Sequence, residues 1–431
     1  MARGPSRGRA GLRALGVPAG DPRPRARPRA GPLRRRARRR GRRTRRRPHR
    51  APHQGAARLP GRVGPPRRGR PGPAGRAGRV TVRLGDLVDL ANGKARPAPG
   101  AAYRTYGANG VIGTSDRFNA EAGTVVVGRV GTYCGAVHYS PDRCWVTDNA
   151  IIVTPRDGVN PRYVHYLLKA LDLNRYRLGS GQPLLTQGVL KDLPVPRASR
   201  ARQDRAAGVL GALDDKIAVN GRLAALADAL VRARYDEAAA AARASVRLDA
   251  LGTLVRDLVP ASRIPDGEPY IALEHVPRRS MWLTTWTAAA DVRSGKTRFA
   301  AGDVLFGRLR PSFHKVGLAF VDGVASTDIL VVRPGEAAHR AWLLAALASD
   351  AVVAYASAVG DGTRMPRAAW SDLARYEVPW PGDGAARRFG ATVAPLARRV
   401  AAAAAESASL TALRDALLPV LVPAADVPSP A

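Results

Sequence analysis

Residues 122–129, AGTVVVGR, return later in the chain as residues 301–308, AGDVLFGR. The correspondence continues in the same order on both sides of this stretch. VRLGDL at 82–87 matches VRLDAL at 246–251, and KDL at 191–193 matches SDL at 371–373. A tandem duplication of this size predicts two domains of one kind, since each copy is long enough to bury its own core.

The first two-thirds of each copy consists of short β-type runs separated by Gly, Pro, Asn and Asp. This pattern predicts strands at 124–128, 136–139 and 150–154 in the first copy, and at 303–307, 316–320 and 329–332 in the second. A helix is predicted after each cluster, around 162–171 and 338–348. The body of each copy is therefore predicted to be a mixed α/β (α+β) domain.

Each copy ends in a long segment whose apolar residues recur in steps of three and four, as in a helix that packs one seam on a partner helix. The seam residues are Leu210, Leu213, Ile217 and Leu230 in the first copy, and Val393, Leu396, Val400, Leu410, Leu413 and Leu417 in the second. A helix of about 35 residues is about 50 Å long, more than one small domain covers. We therefore expect the two helices to form an antiparallel coiled coil that separates the α/β bodies. Asn220, at a seam position, either fixes the register or is simply a partly exposed polar residue.

These patterns divide the chain into six segments. They are a tail at 1–79, an α/β domain at 80–198, a central helix at 199–243, a second α/β domain at 244–383, a distal helix at 384–421 and a flexible C-terminus at 422–431.

Most of the positive charge lies in the tail. The formal net charge is +36, and residues 1–79 contain 27 Arg, no Lys and one acidic residue, Asp21, which leaves +10 for the remainder. The tail has too few apolar residues to offset its ordering entropy, so we expect it to be disordered. One interpretation is an arm that binds nucleic acid through counterion release. The other, which we favour, is translated sequence upstream of the true start, with Val80 as the alternative start, because Arg without Lys is typical of GC-rich codon usage.

Several function classes are disfavoured by the sequence. The absence of an 18-residue apolar run and of a signal-peptide core predicts a cytoplasmic protein that does not contact a membrane. Cys134 and Cys144 have no counterparts in the other copy and are expected to be reduced thiols, and the seven His lack metal-ligand spacing. No Asn or Asp precedes a Pro-Pro-aromatic run, no Glu or Gln has Lys two residues later, and SGKT at 294–297 lacks the earlier Gly of a phosphate-binding loop. The chain is predicted to bind rather than to catalyse.

The motifs in this order resemble the specificity subunit of Type I restriction-modification systems over about 82–421. They are the opening LGDL at 84–87, the runs GTVVVGRVG at 123–131 and GDVLFGRLR at 302–310, the loops GSGQ at 179–182 and GDGT at 360–363, and LPVP at 193–196 and YEVPWP at 376–381. The family's frequent Glu-Gln before the helix is represented only by Arg202-Gln203, and the second copy has Ala385-Ala386 instead.

The resemblance implies two target-recognition domains that each read one half of a bipartite double-stranded DNA target. It also implies that the helices set the gap and recruit methyltransferase subunits, in two copies. Neither a catalytic site nor a cofactor is expected in this chain. The resemblance assigns adenine methylation with S-adenosylmethionine to those partners, and cleavage to a third, ATP-dependent restriction and translocase subunit.

Candidate DNA contacts are polar or basic side chains expected on loops, since base edges and phosphates are read by such groups. They are Lys94, Tyr106, Asn109, Arg129, Tyr133, Ser180 and Gln182 in the first copy, and Arg308, Arg310, Ser312, His314, Lys315, Thr363 and Arg364 in the second. A solvated loop residue is the competing interpretation for each. Thr147-Asp148 and Thr327-Asp328 occur in both copies and are interpreted as structural.

Two other functions are considered. A general basic nucleic-acid or RNA-binding protein would act through the Arg-rich tail, so that deletion of 1–79 would abolish its binding. A self-contained modification enzyme is disfavoured because the methyltransferase motifs are missing.

Overall fold

The buried valine strand at 124–128 and its counterpart at 304–307 lie at the centre of two related sheets. In the computed structural model, which describes residues 80–178, 183–359 and 366–423, all residues of both strands are buried. Gly128 pairs with Ala150, and Gly307 pairs with Ile329. The two partners are therefore the same number of residues apart along the chain in both copies. The duplication in sequence is therefore also a duplication in strand register.

The first body, defined as residues 81–196, contains nine strands and two helices in the part of the chain that is described. The strands are Thr81–Arg83 (β1), Val88–Asn92 (β2), Tyr103–Gly107 (β3), Gly110–Ser115 (β4), Thr124–Gly128 (β5), Val137–Ser140 (β6), Cys144–Val146 (β7), Ala150–Pro155 (β8) and Pro194–Pro196 (β9). The helices are Pro161–Ala170 (α1) and Gln187–Asp192 (α2). The strands form sheets ordered β2-β8-β5-β6 and β4-β3-β7, with β1 paired to β9.

A long helix, Arg200–Ala241 (α3), leads to the second body, defined as residues 244–380. Its strands are Ala244–Arg247 (β10), Gly252–Leu254 (β11), Leu258–Val259 (β12), Pro269–Ile271 (β13), Trp282–Leu283 (β14), Thr287–Ala288 (β15), Lys296–Phe299 (β16), Val304–Gly307 (β17), Val316–Ala319 (β18), Gly323–Ala325 (β19), Ile329–Pro334 (β20) and Glu377–Trp380 (β21). Its helices are Leu248–Leu251 (α4), Arg340–Leu347 (α5), Asp350–Val359 (α6) and Trp370–Leu373 (α7), and the second long helix is Asp383–Leu421 (α8).

The second body repeats the arrangement of the first with additional strands. Its sheets are ordered β11-β20-β17-β18-β14 and β12-β16-β19-β13-β15, and β10 pairs with β21 as β1 pairs with β9. Both bodies contain a corresponding parallel pair, β3 with β7 and β13 with β19. The mixed α/β fold predicted from the sequence is thus confirmed. The strand predicted at 124–128 is observed with the same bounds, and the other five predicted strands differ from those observed by one or two residues at their ends.

The two long helices pack against each other in opposite directions. Near the start of α3, Asp214 bonds to Arg414 near the end of α8 at 2.8 Å, and near the end of α3 the ring of Tyr235 lies 6.4 Å from that of Phe389 near the start of α8. Of the predicted seam residues, Leu210 and Val400 are buried, whereas Leu230 and Leu413 remain 43% and 49% exposed. Supercoiling of this pair stays a prediction.

Each long helix belongs to a body core as well as to the helix pair. The first core cluster joins Leu210 of α3 and Leu417 of α8 to α1 and β5, and the second joins Val231 and Val393 to α5 and β17. Both cysteines, Cys134 and Cys144, are buried free thiols.

Within the three described ranges, no single helix is long and apolar enough to cross a membrane. One bent pair, Ala337–Leu347 with Asp350–Val359, passes that test only when the two helices are taken together across a 64° bend. The predicted tail at 1–79 and the predicted C-terminal segment beyond residue 423 lie outside the described residues.

Candidate nucleic-acid interface

Both bodies hold the arginine that follows the central strand by the same backbone pairing. The carbonyl of Arg129 accepts a hydrogen bond from the Leu185 amide at 2.8 Å, and the carbonyl of Arg308 accepts one from the Ala368 amide at 2.9 Å. The partner segment follows GSGQ in the first body and GDGT in the second. Four predicted DNA contacts, Ser180, Gln182, Thr363 and Arg364, belong to these loops and lie outside the described residues.

Gly128, which precedes Arg129, permits two loops to approach each other closely. A Cβ atom on Gly128 would lie 2.4 Å from the carbonyl oxygen of Tyr133 and 2.6 Å from that of Ala108, distances that no side chain tolerates. The turn carrying Asn109 therefore lies beside the turn that ends in Tyr133. Asn109 is exposed and Tyr133 is 52% exposed, so both side chains face solvent at one site.

Lys94 reaches the same site from a different strand pair. Its carbonyl accepts a hydrogen bond from the Asp148 amide at 3.0 Å, while the carbonyl of the next residue, Asn149, accepts one from the Arg129 amide at 3.0 Å. Lys94 is exposed and Arg129 is half-buried. The structure therefore brings together four predicted residues of the first body: Lys94, Asn109, Arg129 and Tyr133.

Tyr106 is the fifth described candidate in this body, and the prediction that it contacts DNA is wrong. Its side chain is only 4% exposed and packs in a core cluster with Val126 and Cys144, and its hydroxyl lies 3.5 Å from the Tyr139 carbonyl. β3, which carries Tyr106, lies in the middle of its three-stranded sheet, so burial follows from the strand order. Tyr106 offers no edge to a base in this structure.

The second body has an aromatic ring close to two guanidinium groups. The Arg278 guanidinium lies 4.0 Å from the centroid of the Phe313 ring, and that of Arg310 lies 5.9 Å from it, within the range of cation–π attraction. Arg310 has a left-handed backbone, with φ of 49°, and both it and Ser312 are exposed. The predicted stretch 308–312 is thus an ordered turn that presents Arg310 to solvent.

Arg308 and Lys315 are held more firmly. The Nε of Arg308 donates to the Ala368 carbonyl at 3.2 Å, and the Nζ of Lys315 donates to the Leu273 carbonyl. Burial lowers the pKa of the Lys315 ammonium, and the nearby Arg278 lowers it further. Both side chains are half-buried. They therefore contribute a fixed positive potential at this site rather than flexible side chains that could move to contact DNA.

The prediction that His314 contacts DNA is also wrong. The side chain is 2% exposed, and its Nε2 lies 2.7 Å from the Ala348 carbonyl. Burial lowers the pKa of the imidazole, so the neutral form is favoured near neutral pH. The 3₁₀ turn Pro311–Phe313 places His314 against α6, and the sequence alone did not reveal that contact.

Three functional candidates were missed by sequence reasoning. Phe313 is part of the 308–315 loop, whereas Arg278 and Arg367 meet this loop only through tertiary contacts, Arg278 at the Phe313 ring and Arg367 through a backbone bridge to Leu309. Arg367 also pairs with Asp328 at 3.3 Å. That ion pair, together with the bond from the Arg308 amide to the Asp328 carbonyl at 2.9 Å, supports a structural role for the repeated Thr-Asp. In the first body Thr147 is buried, whereas Thr327 of the second body is exposed.

The polar contacts of the helix pair centre on Asn220. Its side chain is 3% exposed, and its Nδ2 lies 3.1 Å from the Ala403 carbonyl, 2.9 Å from a carboxylate oxygen of Glu406 and 3.1 Å from the Ser407 hydroxyl. These contacts favour the first of the two interpretations of Asn220, a residue that fixes the register of the helices.

Gln203, the remnant of the Glu-Gln motif, is also buried, and its Oε1 accepts a hydrogen bond from the Asn160 amide at the start of α1 at 2.9 Å.

No cluster of three or more metal-ligating side chains occurs among the described residues. The chemistry that the two sites offer is recognition, with cationic and amide groups around one exposed tyrosine in the first body and cationic groups around one phenylalanine in the second.

Comparisons with known proteins agree with this description. Residues 78–226 match the family described as Type I restriction modification DNA specificity domain. A 135-residue stretch, 31% of this chain, is 29% identical to the EcoprrI Type I restriction enzyme specificity subunit of Escherichia coli and spans 34% of its length. The chain thus spans about a third of that curated relative.

A solved structure shares the fold. The S subunit of a Type I restriction-modification system from M. genitalium superposes with a TM-score of 0.53 at 17% identity, covering 80% of this chain and 96% of that one. The chain described here is therefore similar to the specificity subunits of Type I restriction-modification systems, and its residues 78–226 match their DNA specificity domain.

Proposed function

We propose that this protein is the DNA-recognition subunit of a Type I restriction-modification complex, with each body reading one half of a bipartite target. The observation that carries the proposal is the repeated pairing of Arg129 with Leu185 and of Arg308 with Ala368. One scaffold is used twice, and the side chains around it differ. Two different half-sites are expected from such an arrangement, because the residues that contact bases determine which sequence is read.

The paired helices are proposed to set the length of the unread spacer. Helices of 42 and 39 residues, at 1.5 Å per residue, are about 60 Å long, and each is anchored in a body core through its buried residues. A fixed separation between two DNA-reading surfaces translates into a fixed number of base pairs. The same helices are proposed to recruit two methyltransferase subunits.

We further propose that this chain has no catalytic activity of its own. Methyl transfer from S-adenosylmethionine would occur in the recruited methyltransferase subunits, and ATP-dependent cleavage in a separate restriction and translocase subunit. The alternative of a general nucleic-acid binder acting through residues 1–79 is not favoured, since the family match begins at residue 78.

The test is to co-express residues 80–431 with the methyltransferase subunit of the same operon in a host that lacks adenine methylation, and to map modified adenines across the genome. We expect one split motif with a fixed gap. The full chain serves as the control for the tail. Methylation by the full chain alone would assign a function to the tail, and absence of methylation with both chains would refute the proposal.

A further inference from the structure

The turns that follow the central strands correspond residue for residue in the two bodies. Residues 128–135, GRVGTYCG, align without a gap with residues 307–314, GRLRPSFH. Each turn contains a 3₁₀ helix of three residues, Gly131–Tyr133 in the first body and Pro311–Phe313 in the second. The two bodies therefore use one kind of turn to carry their candidate DNA contacts.

Two positions of this turn have a left-handed backbone in both bodies. In the first body both are glycine, Gly131 with φ of 71° and Gly135 with φ of 88°. In the second body they are Arg310, with φ of 49°, and His314, with φ of 53°. A side chain disfavours this conformation, because its Cβ approaches the following carbonyl oxygen. Unfavourable backbone of this kind persists only where surrounding contacts hold it, and it is concentrated at functional sites. The side chains of Arg310 and His314 are therefore expected to have roles that glycine does not supply.

His314 joins the second turn to the segment between α5 and α6. Its side chain is 2% exposed, and its Nε2 lies 2.7 Å from the carbonyl oxygen of Ala348. Because a carbonyl oxygen only accepts, Nε2 carries the hydrogen and donates it. The Nδ1 lies 3.3 Å from a carboxylate oxygen of Asp350, whose side chain is 74% exposed, so water weakens this second contact. The bond to Ala348 is thus the contact that fixes the imidazole.

The acceptor of this bond is held in place by α3. The Ala348 carbonyl also accepts a hydrogen bond from Nη1 of Arg232 at 2.8 Å, and Nε of Arg232 donates to Asp228, one helical turn earlier, at 2.8 Å. The second carboxylate oxygen of Asp228 accepts a hydrogen bond from the Met281 amide at 2.6 Å. The long helix therefore holds both the acceptor of the histidine and, through Met281, the segment that carries Arg278.

The first body has no equivalent of this anchor. Gly135 occupies the position of His314, and a Cβ on it would lie 2.6 Å from the Asn174 amide nitrogen. The first turn therefore packs directly on the backbone of the segment after α1, where no side chain fits. The turn of the first body is placed by backbone packing, and that of the second body by a side-chain hydrogen bond.

We propose that His314 is a positioning residue for the reading of DNA by the second body. Its bond to the Ala348 carbonyl holds the turn in its left-handed path. In that path the turn presents Arg310 to solvent and keeps the Phe313 ring 4.0 Å from the Arg278 guanidinium. His314 itself touches no DNA. This inference rests on the proposed function, since it concerns how one of the two half-sites is read, and loss of the bond should relax that half-site alone.

The test compares three substitutions of His314 in the full chain, co-expressed with the methyltransferase subunit of the same operon in a host that lacks adenine methylation. His314→Gln keeps an amide N–H near the place of Nε2, so it retains a donor to Ala348. In His314→Asn the new residue tolerates a left-handed backbone but is too short to reach that carbonyl. His314→Gly removes the backbone strain together with the bond. Mapping modified adenines across the genome gives the motif that each variant directs.

We expect H314Q to direct the wild-type motif. In H314N and H314G one half of the motif should become degenerate. The ratio of methylation at cognate sites to that at sites with one mismatched base pair in that half should fall about tenfold, as expected for loss of one well-placed base contact. The other half and the gap should be unchanged. H314G is the decisive variant, because it relieves the backbone and still loses the positioning bond.

His339→Asn is the matched control. His339 is a histidine of the same body that is 7% exposed, and its ring lies 5.2 Å from that of Trp380. It lies at the opposite end of α5 from Ala348. H339N should lower the urea midpoint, as loss of a buried side chain does, and leave both halves of the motif unchanged.

The outcomes separate this inference from the proposed function. With a split motif in the wild-type complex, the inference is overturned by an unchanged motif in H314N and H314G, by equal relaxation in H314Q and H314N, by relaxation of both halves, or by the same relaxation in H339N. If the wild-type complex directs no split motif, the proposed function fails, and the anchor is measured without DNA.

That measurement is hydrogen exchange of the Phe313 amide, which donates to the Arg310 carbonyl within the turn at 2.9 Å. Exchange should be about tenfold faster in H314N than in H314Q, as loss of one buried hydrogen bond predicts. Faster exchange in H314N supports the anchor, and equal exchange in the two variants overturns it.

Discussion

Replacing Asp214 with Asn should release the C-terminal end of α8 from the first body. Asp214 lies on α3, and its two carboxylate oxygens accept hydrogen bonds from the Tyr166 hydroxyl of α1 at 2.6 Å and from Arg414 of α8 at 2.8 Å. One carboxylate therefore joins three helices. An Asn side chain keeps a single acceptor oxygen and turns an amide toward one of the two donors.

The expected cost follows from the burial of the pair. The side chains of Arg414 and Asp214 are 19% and 23% exposed, so the ion pair is mostly but not fully desolvated. Breaking a fully buried pair costs about 3–5 kcal/mol, and we expect about 2–3 kcal/mol for this partly exposed one. If this cost falls on the local opening of α8, amides at its C-terminal end should exchange about 30 to 150 times faster, since 1.4 kcal/mol corresponds to a factor of about ten in an equilibrium.

Hydrogen exchange followed by mass spectrometry, resolved to peptides from the end of α8, measures this opening. Asp415→Asn is the matched control, because Asp415 bonds the same Arg414 at 2.7 Å but is 59% exposed. Surface pairs contribute about 0–1 kcal/mol, so exchange in D415N should rise by less than about sixfold. Equal exchange rates in D214N and D415N would refute the reasoning that burial makes the Asp214 bonds strong.

Three further predictions concern pH, DNA and spacing. Burial alone would raise the pKa of the Asp214 carboxyl, but hydrogen bonds from Tyr166 and Arg414 lower it overall, so its stabilising effect is complete above the unfolded pKa of about 3.9 and is lost as the pH falls through the lower folded value. The difference in urea midpoint between wild type and D214N should accordingly shrink as the pH falls below about 3.9, and a difference that stays constant down to pH 2 would contradict this. Phe313→Ala removes the ring that lies close to Arg278 and Arg310 and should weaken binding to the cognate DNA about tenfold in fluorescence anisotropy. Arg310→Gln should reduce the salt dependence of binding by about one phosphate contact. Arg263→Gln, which changes an exposed arginine elsewhere in this body, is the control. Inserting seven residues into both long helices preserves the seam and adds about 10 Å, so the mapped methylation motif should gain about three base pairs of spacer, and an unchanged spacer would refute the ruler.

The parts of the fold that were predictable from sequence are those set by local pattern. The run of valines before Gly128 predicts a buried strand, and the spacing of apolar residues in α3 and α8 predicts their pairing, because both patterns act over a few residues. The relation between the two copies was visible for the same reason, since strands with matching sequences take matching registers.

The side chains of the candidate site were predictable only where exposure follows from loop position. Asn109 and Arg310 lie in turns and are exposed, as expected. Tyr106 and His314 were placed wrongly because their burial comes from neighbouring strands and from α6, which are distant in sequence. Phe313 was missed because its contact with Arg278 joins two separate loops.

A comparison of the two copies distinguishes positions that maintain the shared backbone from loops that differ between the copies. Gly128 and Gly307 are the same in both copies, and at both positions neighbouring atoms approach closely: a Cβ would lie 2.4 Å from the Tyr133 carbonyl oxygen at Gly128, and 2.9 Å from a Leu273 methyl and 3.2 Å from the Lys315 carbonyl oxygen at Gly307. The loops that follow them share no such constraint, so GRVGTYC at 128–134 and GRLRPSF at 307–313 have diverged around one backbone pairing. Exchanging these two loops should therefore change which half-site is read while the helix pair, and with it the spacer, is unchanged.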